Sequence, residues 1–151
     1  MRVPMPETLM TPSQIHLVRA SFMRIAPIAD HAAALFYDNL FLAQPTLRAL
    51  FRNADMARQG EKLMQMIGAA VQLLETPAQL EPVLRQLGAR HGRYGVQPQH
   101  YAMVGDALMK TLAQGLGDEF DEPTRHAWAV MYGMVSRTMI EAAETGATQP
   151  A

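Results

Sequence analysis

Apolar residues recur every three to four positions through most of the chain, and no stretch shows the strict alternation of a half-buried strand. Seven helical segments follow from that period. Thr11-Pro12-Ser13-Gln14 reads as a helix start, with Thr11 as N-cap, Pro12 in the first turn and Gln14 three residues on. Ile15, Val18, Phe22 and Ile25 face inward, and Pro27 stops or kinks this helix. A second helix, about 28–42, carries Ala32, Ala33, Phe36, Tyr37 and Leu40 on its inner side. Pro45 opens a short third one ending near Phe51, and Asp55 caps a fourth over about 56–75. Its stripe is Met56, Leu63, Met66, Ile67, Ala70, Val71 and Leu74, with the polar Gln59 on the same face.

The fifth helix is expected to begin at Glu81-Pro82 and to end at the glycines Gly92 and Gly95. Val83, Leu84, Leu87 and His91 share one face of it. Pro98 opens the sixth, with Tyr101, Val104, Leu108, Leu112 and Leu116 inward and Gly115 and Gly117 at its end. Asp121-Glu122-Pro123 starts the last, whose stripe is Ala127, Val130, Met131, Met134, Val135 and Met139. The fold class is all-α. One domain is expected over residues 11–144, between flexible tails at 1–10 and 145–151.

Composition narrows the chemistry. With 151 residues, 49% of them apolar, the chain can bury a real core. It has no cysteine, which excludes disulfides, thiolate zinc sites, iron–sulfur clusters and thioether-linked haem. Net charge is −1 and the basic residues are scattered, so no nucleic-acid partner is expected. No apolar run reaches the length of a bilayer span, and the first residues lack a signal peptide's apolar segment, so a cytoplasmic protein with no membrane span is expected. Twelve methionines give weak support for a bulky flat ligand.

Three polar groups fall on otherwise apolar stripes: Tyr37, Gln59 and His91. Each has an ordinary explanation. His91 can be a core histidine satisfied by hydrogen bonds, Tyr37 can turn its hydroxyl to solvent, and Gln59 can lie at a boundary. One ligand would serve all three, since buried polar groups need partners. A flat metal-bearing cofactor between the fourth and fifth helices would take His91 as axial ligand, with Tyr37 and Gln59 as donors on its other side.

The segments LFYDNLFLAQPTLRALF (35–51), DMARQGEKLMQMI (55–67), LGARHGRYGVQPQHYAMVGDALMKTL (87–112) and AWAVMYGMVSRTMI (127–140) resemble the globins. Within that family they are similar to single-domain bacterial haemoglobins and the haem domains of flavohaemoglobins. The resemblance implies the globin fold, a 3-over-3 helical sandwich around a non-covalent haem b, with His91 as the iron ligand. It implies Tyr37 and Gln59 as the distal pair that hydrogen-bonds bound O2. It makes Phe51 the wedge against the haem and Leu63 the apolar residue a turn beyond Gln59. Val96 packs under the haem, and Leu87 and Tyr101 complete the cofactor-binding set. Lys62 and Arg90 are candidates for the propionates. The family's glutamate on the last helix, expected to bond the proximal imidazole, is replaced by Ala143, with Glu141 and Glu144 out of phase.

The function this implies is reversible binding of O2, with CO and NO as further gaseous partners. Two alternatives stay open. One is a nitric oxide dioxygenase; flavohaemoglobins carry a fused reductase, and with no G-x-G-x-x-G in this sequence a separate reductase is expected. The other is a gas sensor signalling to a partner.

Overall fold

A computed structural model describes residues 10–148, with side chains through Thr145. Six α-helices follow in order: α1 (Pro12–Ile25), α2 (Ala29–Ala43), α3 (Met56–Gln72), α4 (Pro77–Arg93), α5 (Pro98–Leu116) and α6 (Glu122–Thr148). The described residues contain no strand. The expected starts are formed as the sequence suggests. Thr11 and Gln14 make a reciprocal capping box, and Asp55 accepts from the backbone of Ala57 and Arg58. Asp121 accepts from Thr124 N at 3.1 Å. Pro27 lies in a single 3-10 turn that bends α1 into α2.

The expected short helix over Pro45–Phe51 is present and is a 3-10 helix. Four details depart from the sequence reading. α3 ends at Gln72 and gives way to a turn, three residues short of the expected end. α4 begins at Pro77 and runs through Pro82. The cost of Pro82 is the lost bond to the carbonyl of Ala78, and that residue is exposed, so water can serve it. Gly92 and Gly115 do not end their helices; α4 reaches Arg93 and α5 reaches Leu116. The last helix continues to Thr148, past the boundary drawn at Glu144, while residues 1–9 of the proposed N-terminal tail lie outside the described residues.

The core has two lobes. One joins α1, α4 and α6 around Val18 and Trp128, both wholly buried. The Trp128 indole N–H donates to Ser21 Oγ at 2.8 Å, and Ser21 donates to the Leu17 carbonyl, so no polar atom of that contact is left unpaired. The second lobe joins α2, the 3-10 segment and α5 around Phe36, Leu40, Phe41 and Leu47. Asn39 ties α2 to α5 from inside, donating to Thr111 Oγ1 at 3.0 Å.

α4 lies closest to α6. Gly88 and Gly92, four residues apart on one helix face, let the backbones meet: a Cβ on Gly88 would run into the carbonyl of Met139, and one on Gly92 would sit 3.0 Å from Ala143 Cβ. Gly88→Ala must push α4 off α6 and is expected to cost roughly 1–3 kcal/mol, as overpacking of a close seam does. Urea denaturation of the variant measures it; an unchanged midpoint would mean that the seam yields freely. By contrast, α3 and α4 barely touch although they are consecutive, and neither packs closely along α5. The backbones of these three helices therefore stand apart, and the space between them is the candidate crevice.

Candidate functional site

One wall of the crevice is organised by the end of α4. The helix closes in a Schellman turn: Val96 N donates to the carbonyl of His91 at 3.0 Å, and Gly95 N to that of Gly92 at 3.1 Å. Gly95 has φ +92°, a conformation that glycine adopts without the strain a Cβ would bring. The turn doubles the chain back so that Val96 returns to the level of His91. Within the helix, His91 Nδ1 lies 2.7 Å from the carbonyl of Leu87. A carbonyl only accepts, so Nδ1 carries the proton and donates, which leaves Nε2 as an unprotonated lone-pair donor in the neutral ring. The sequence placed Val83 on this face, but it is 41% exposed. Leu84 goes into the core, and Leu87 and His91 are half-buried.

Leu87, Val96 and Tyr101 belong to the same apolar lobe, together with Leu108 from α5. Tyr101 is buried and its hydroxyl has no hydrogen-bond partner among the described residues. Its carbonyl oxygen accepts from Tyr132 at 2.6 Å, which fixes the backbone but does nothing for the phenol. An orphaned buried hydroxyl costs about 1–3 kcal/mol. The residue that the family pattern assigns as its acidic companion is Ala143, and Ala143 does face α4, against Gly92.

The second group of candidate residues is aromatic. Tyr37, Phe51 and Leu63 gather in the second lobe with Met56, Met103 and Val104. The Tyr37 ring meets Phe36 edge-on at 4.9 Å, stacks on Phe41 at 5.9 Å and meets Phe51 edge-on at 5.4 Å. This three-sided clamp orients the phenol. Its hydroxyl makes no hydrogen bond among the described residues, and burial pushes its pKa up to about 12. At any physiological pH it is therefore a neutral donor. Gln59 on α3 is half-buried, with its amide likewise uncommitted. Lys62 and Arg90 are exposed, one on each of α3 and α4, and neither is in an ion pair among the described residues.

Sequence reasoning missed Phe41, which supports Tyr37, and Gly88 and Gly92, which seat the helix carrying His91. The Gly-x-x-x-Gly spacing was a legible signal for the second pair. Phe41 also had a local signal, since it follows Tyr37 by four residues on one helix, the spacing that makes side chains neighbours.

Burial raises the pKa of Tyr37, Tyr101 and Tyr132, the last helped by the charges of Tyr101 and Asp106. The sign follows directly: above pH about 10 the unfolded chain releases phenolic protons that the folded chain still holds. The contribution of these groups is thus complete below pH ~10 and is lost as pH rises through the folded values. Urea midpoints are expected to fall steadily above that pH. A flat alkaline profile would show the phenols to be solvated.

These residues fit a haem. His91 presents one imidazole with the proton on the far nitrogen, and the crevice walls are apolar and half-exposed. Tyr37 and Gln59 are donors without a partner among the described residues, and Lys62 and Arg90 are exposed cations. Among the described residues no three His, Cys, Asp or Glu side chains cluster as a metal site.

Six helices, with a free imidazole nitrogen at the end of α4 and a ring-clamped tyrosine on α2, define an all-α domain of the kind that can house a haem. The chain belongs to the globin family, whose profile matches residues 34–139. It is 33% identical over 114 residues to a flavohaemoprotein of Rhizobium meliloti, covering 72% of this chain and 28% of that protein. A neuroglobin of Tetraodon nigroviridis is 30% identical over 136 residues, covering 82% of this chain and 86% of that one. A bacterial globin from Campylobacter jejuni superposes with a TM-score of 0.81 at 23% identity, over 92% of this chain and all of that one. The chain spans about a third of the length of the flavohaemoproteins it matches (28–34%). No helix among the described residues is long and apolar enough to cross a membrane.

Proposed function

We propose that the chain binds haem b and, through it, O2 reversibly. The observation that carries this reading is the His91 ring, whose Nδ1 proton is committed to the Leu87 carbonyl at 2.7 Å and whose other nitrogen is free to bind iron. When bound, ferrous haem would supply affinity for diatomic gases. The chain supplies the rest. Leu87 and Val96 shape the wall beside His91, Phe51 and Leu63 shape the other, and Lys62 and Arg90 pair with the propionates. Tyr37, kept neutral by burial, and Gln59 donate hydrogen bonds to the bound gas. Each neutral donor contributes on the order of 1 kcal/mol, about fivefold in affinity. O2 gains more than CO, because it carries more negative charge when bound.

The test is an absorption spectrum of the purified and haem-reconstituted protein with and without CO. A Soret band that shifts with CO is expected, with the haem extractable by acid–butanone. No Soret band after reconstitution would end the reading.

The likeness to flavohaemoproteins favours a second reading, a nitric oxide dioxygenase drawing electrons from a separate reductase. Sustained NO consumption with NAD(P)H and cell extract would support it, and stoichiometric consumption only would leave the carrier.

Ala143 bears on the same choice. A carboxylate bonded to the proximal imidazole makes it a stronger ligand. With Ala143 in that place, the ferrous iron–histidine stretch is expected to lie lower than in flavohaemoglobins, with poor peroxidase activity. Ala143→Glu should raise the frequency and give the Tyr101 hydroxyl an acceptor. An unchanged frequency would show that Tyr101 and α6 form no such network.

A further inference from the structure

A cleft of about 570 Å³ opens at the corner where α2, the 3-10 segment and α3 meet. Its inner wall is Phe41, Phe51 and Met56, and its outer edge carries Arg48, Ala49, Arg52 and Ala54. It does not include His91, Leu87 or Val96, so it is separate from the wall on which iron would be held.

The cleft and the Tyr37 side of the crevice share a partition. Phe41 and Phe51 touch at 5.5 Å with their planes 67° apart, and these same two rings are the partners of Tyr37. Met56 belongs to the apolar lobe that holds Tyr37 and Leu63. Nothing polar stands in that partition, so a small uncharged gas meets no desolvation cost in crossing it, while water does. Two rings in edge contact can swing apart far more easily than two packed helices. The outer edge has its own closure: the Arg48 guanidinium lies 4.6 Å over the Phe41 ring. Arg48 has no carboxylate partner among the described residues. A cation over a ring at an exposed position is held weakly and opens readily.

We propose that this cleft is the access route by which small uncharged gases reach the Tyr37 side of the pocket, with Arg48 on Phe41 as its outer gate. The inference rests on the reading of that side as the gas-binding side.

The test uses the haem-loaded protein and flash photolysis of its CO complex. Ala54→Trp fills the cleft from an exposed position and is expected to slow bimolecular CO association several-fold and raise the fraction that rebinds without escaping. Ala49→Trp, on the 3-10 segment, should do the same and serves if the first variant folds poorly. Arg48→Ala is expected to speed association. Unchanged association in all three, with CO still bound normally, would overturn the proposal. So would slowing by Gln59→Trp with none by Ala54→Trp, since that would route the gas past α3.

A second readout needs no haem. In the apoprotein under dissolved O2, paramagnetic relaxation at the Met56 methyl is expected to exceed that at the exposed Met23 methyl, and to fall in Ala54→Trp. Equal relaxation at the two methyls would overturn the proposal. A chain that takes up no haem, yet shows this relaxation, would sink the functional reading and leave the cleft as a gas passage.

Discussion

Replacing His91 by alanine is expected to abolish stable haem binding, or to leave a haem that only added imidazole retains. The effect should be the largest of any single change, because the chain has no substitute within reach. Haem would still be offered an apolar crevice, but the only bond from protein to iron would be gone. The histidines of α5 and α6 are placed elsewhere. His100 Nδ1 accepts from Gln97 N at 2.9 Å, as part of the cap of α5. His126 is exposed near the start of α6. The position of His91 is also hard to imitate, since its ring is set by the Leu87 carbonyl and its backbone carbonyl closes the Schellman turn. Alanine keeps that backbone, so the variant should fold, with α4 still seated on α6 by Gly88. Resonance Raman of the ferrous variant checks the assignment. A normal iron–histidine stretching band in His91→Ala would show that another histidine holds the iron.

Tyr37→Phe is expected to speed O2 release several-fold to tens-fold while leaving CO release nearly unchanged. The ring clamp of Phe36, Phe41 and Phe51 holds a phenylalanine as well as a tyrosine, so the substitution removes a hydroxyl and little else. The lost hydrogen bond is worth about 1–2 kcal/mol. It must break before O2 leaves, so the change belongs in the dissociation rate. Because the phenol's pKa is pushed up to about 12, the wild-type O2 release rate should also show no step from this group across neutral pH. Gln59→Leu should act in the same direction but more weakly, since a flexible amide loses more rotamer freedom when held in place. Stopped-flow and flash photolysis with both gases separate the causes. Equal acceleration of O2 and CO would indicate a steric effect. No change in either would place Tyr37 outside the ligand's reach.

The chain's helices were legible because burial imposes a period on the sequence. Thr11 and Gln14, Asp55 and Asp121 announced three helix starts, and each is capped as its side chain allows. The stripes also singled out Tyr37, Gln59 and His91, since a polar group on an apolar face conflicts with the pattern around it. Helix ends were less legible. Gly92 and Gly115 look like stops in sequence, but a glycine is also what a helix needs where another backbone or side chain comes close. Gly92 lies against Ala143, and Gly115 leaves room for Ile25. Pro82 looks like a start, yet α4 passes through it because the carbonyl it orphans faces water.

What the sequence determined by itself is therefore the set of amphipathic helices and the face each turns inward, because those depend on spacing along one chain. The tertiary structure decided which of those faces meet. It sent Val83 outward and Leu84 into the core although both sit beside one stripe, a distinction of one residue that periodicity does not resolve. It brought Phe51 of the 3-10 segment against Tyr37 of α2 and set α4 on α6 through two glycines. It also kept α3 and α4 apart. The physical reason is the same in each case: local pattern fixes what must be buried, whereas the partner that does the burying, and how near it can approach, depends on side chains tens of residues away.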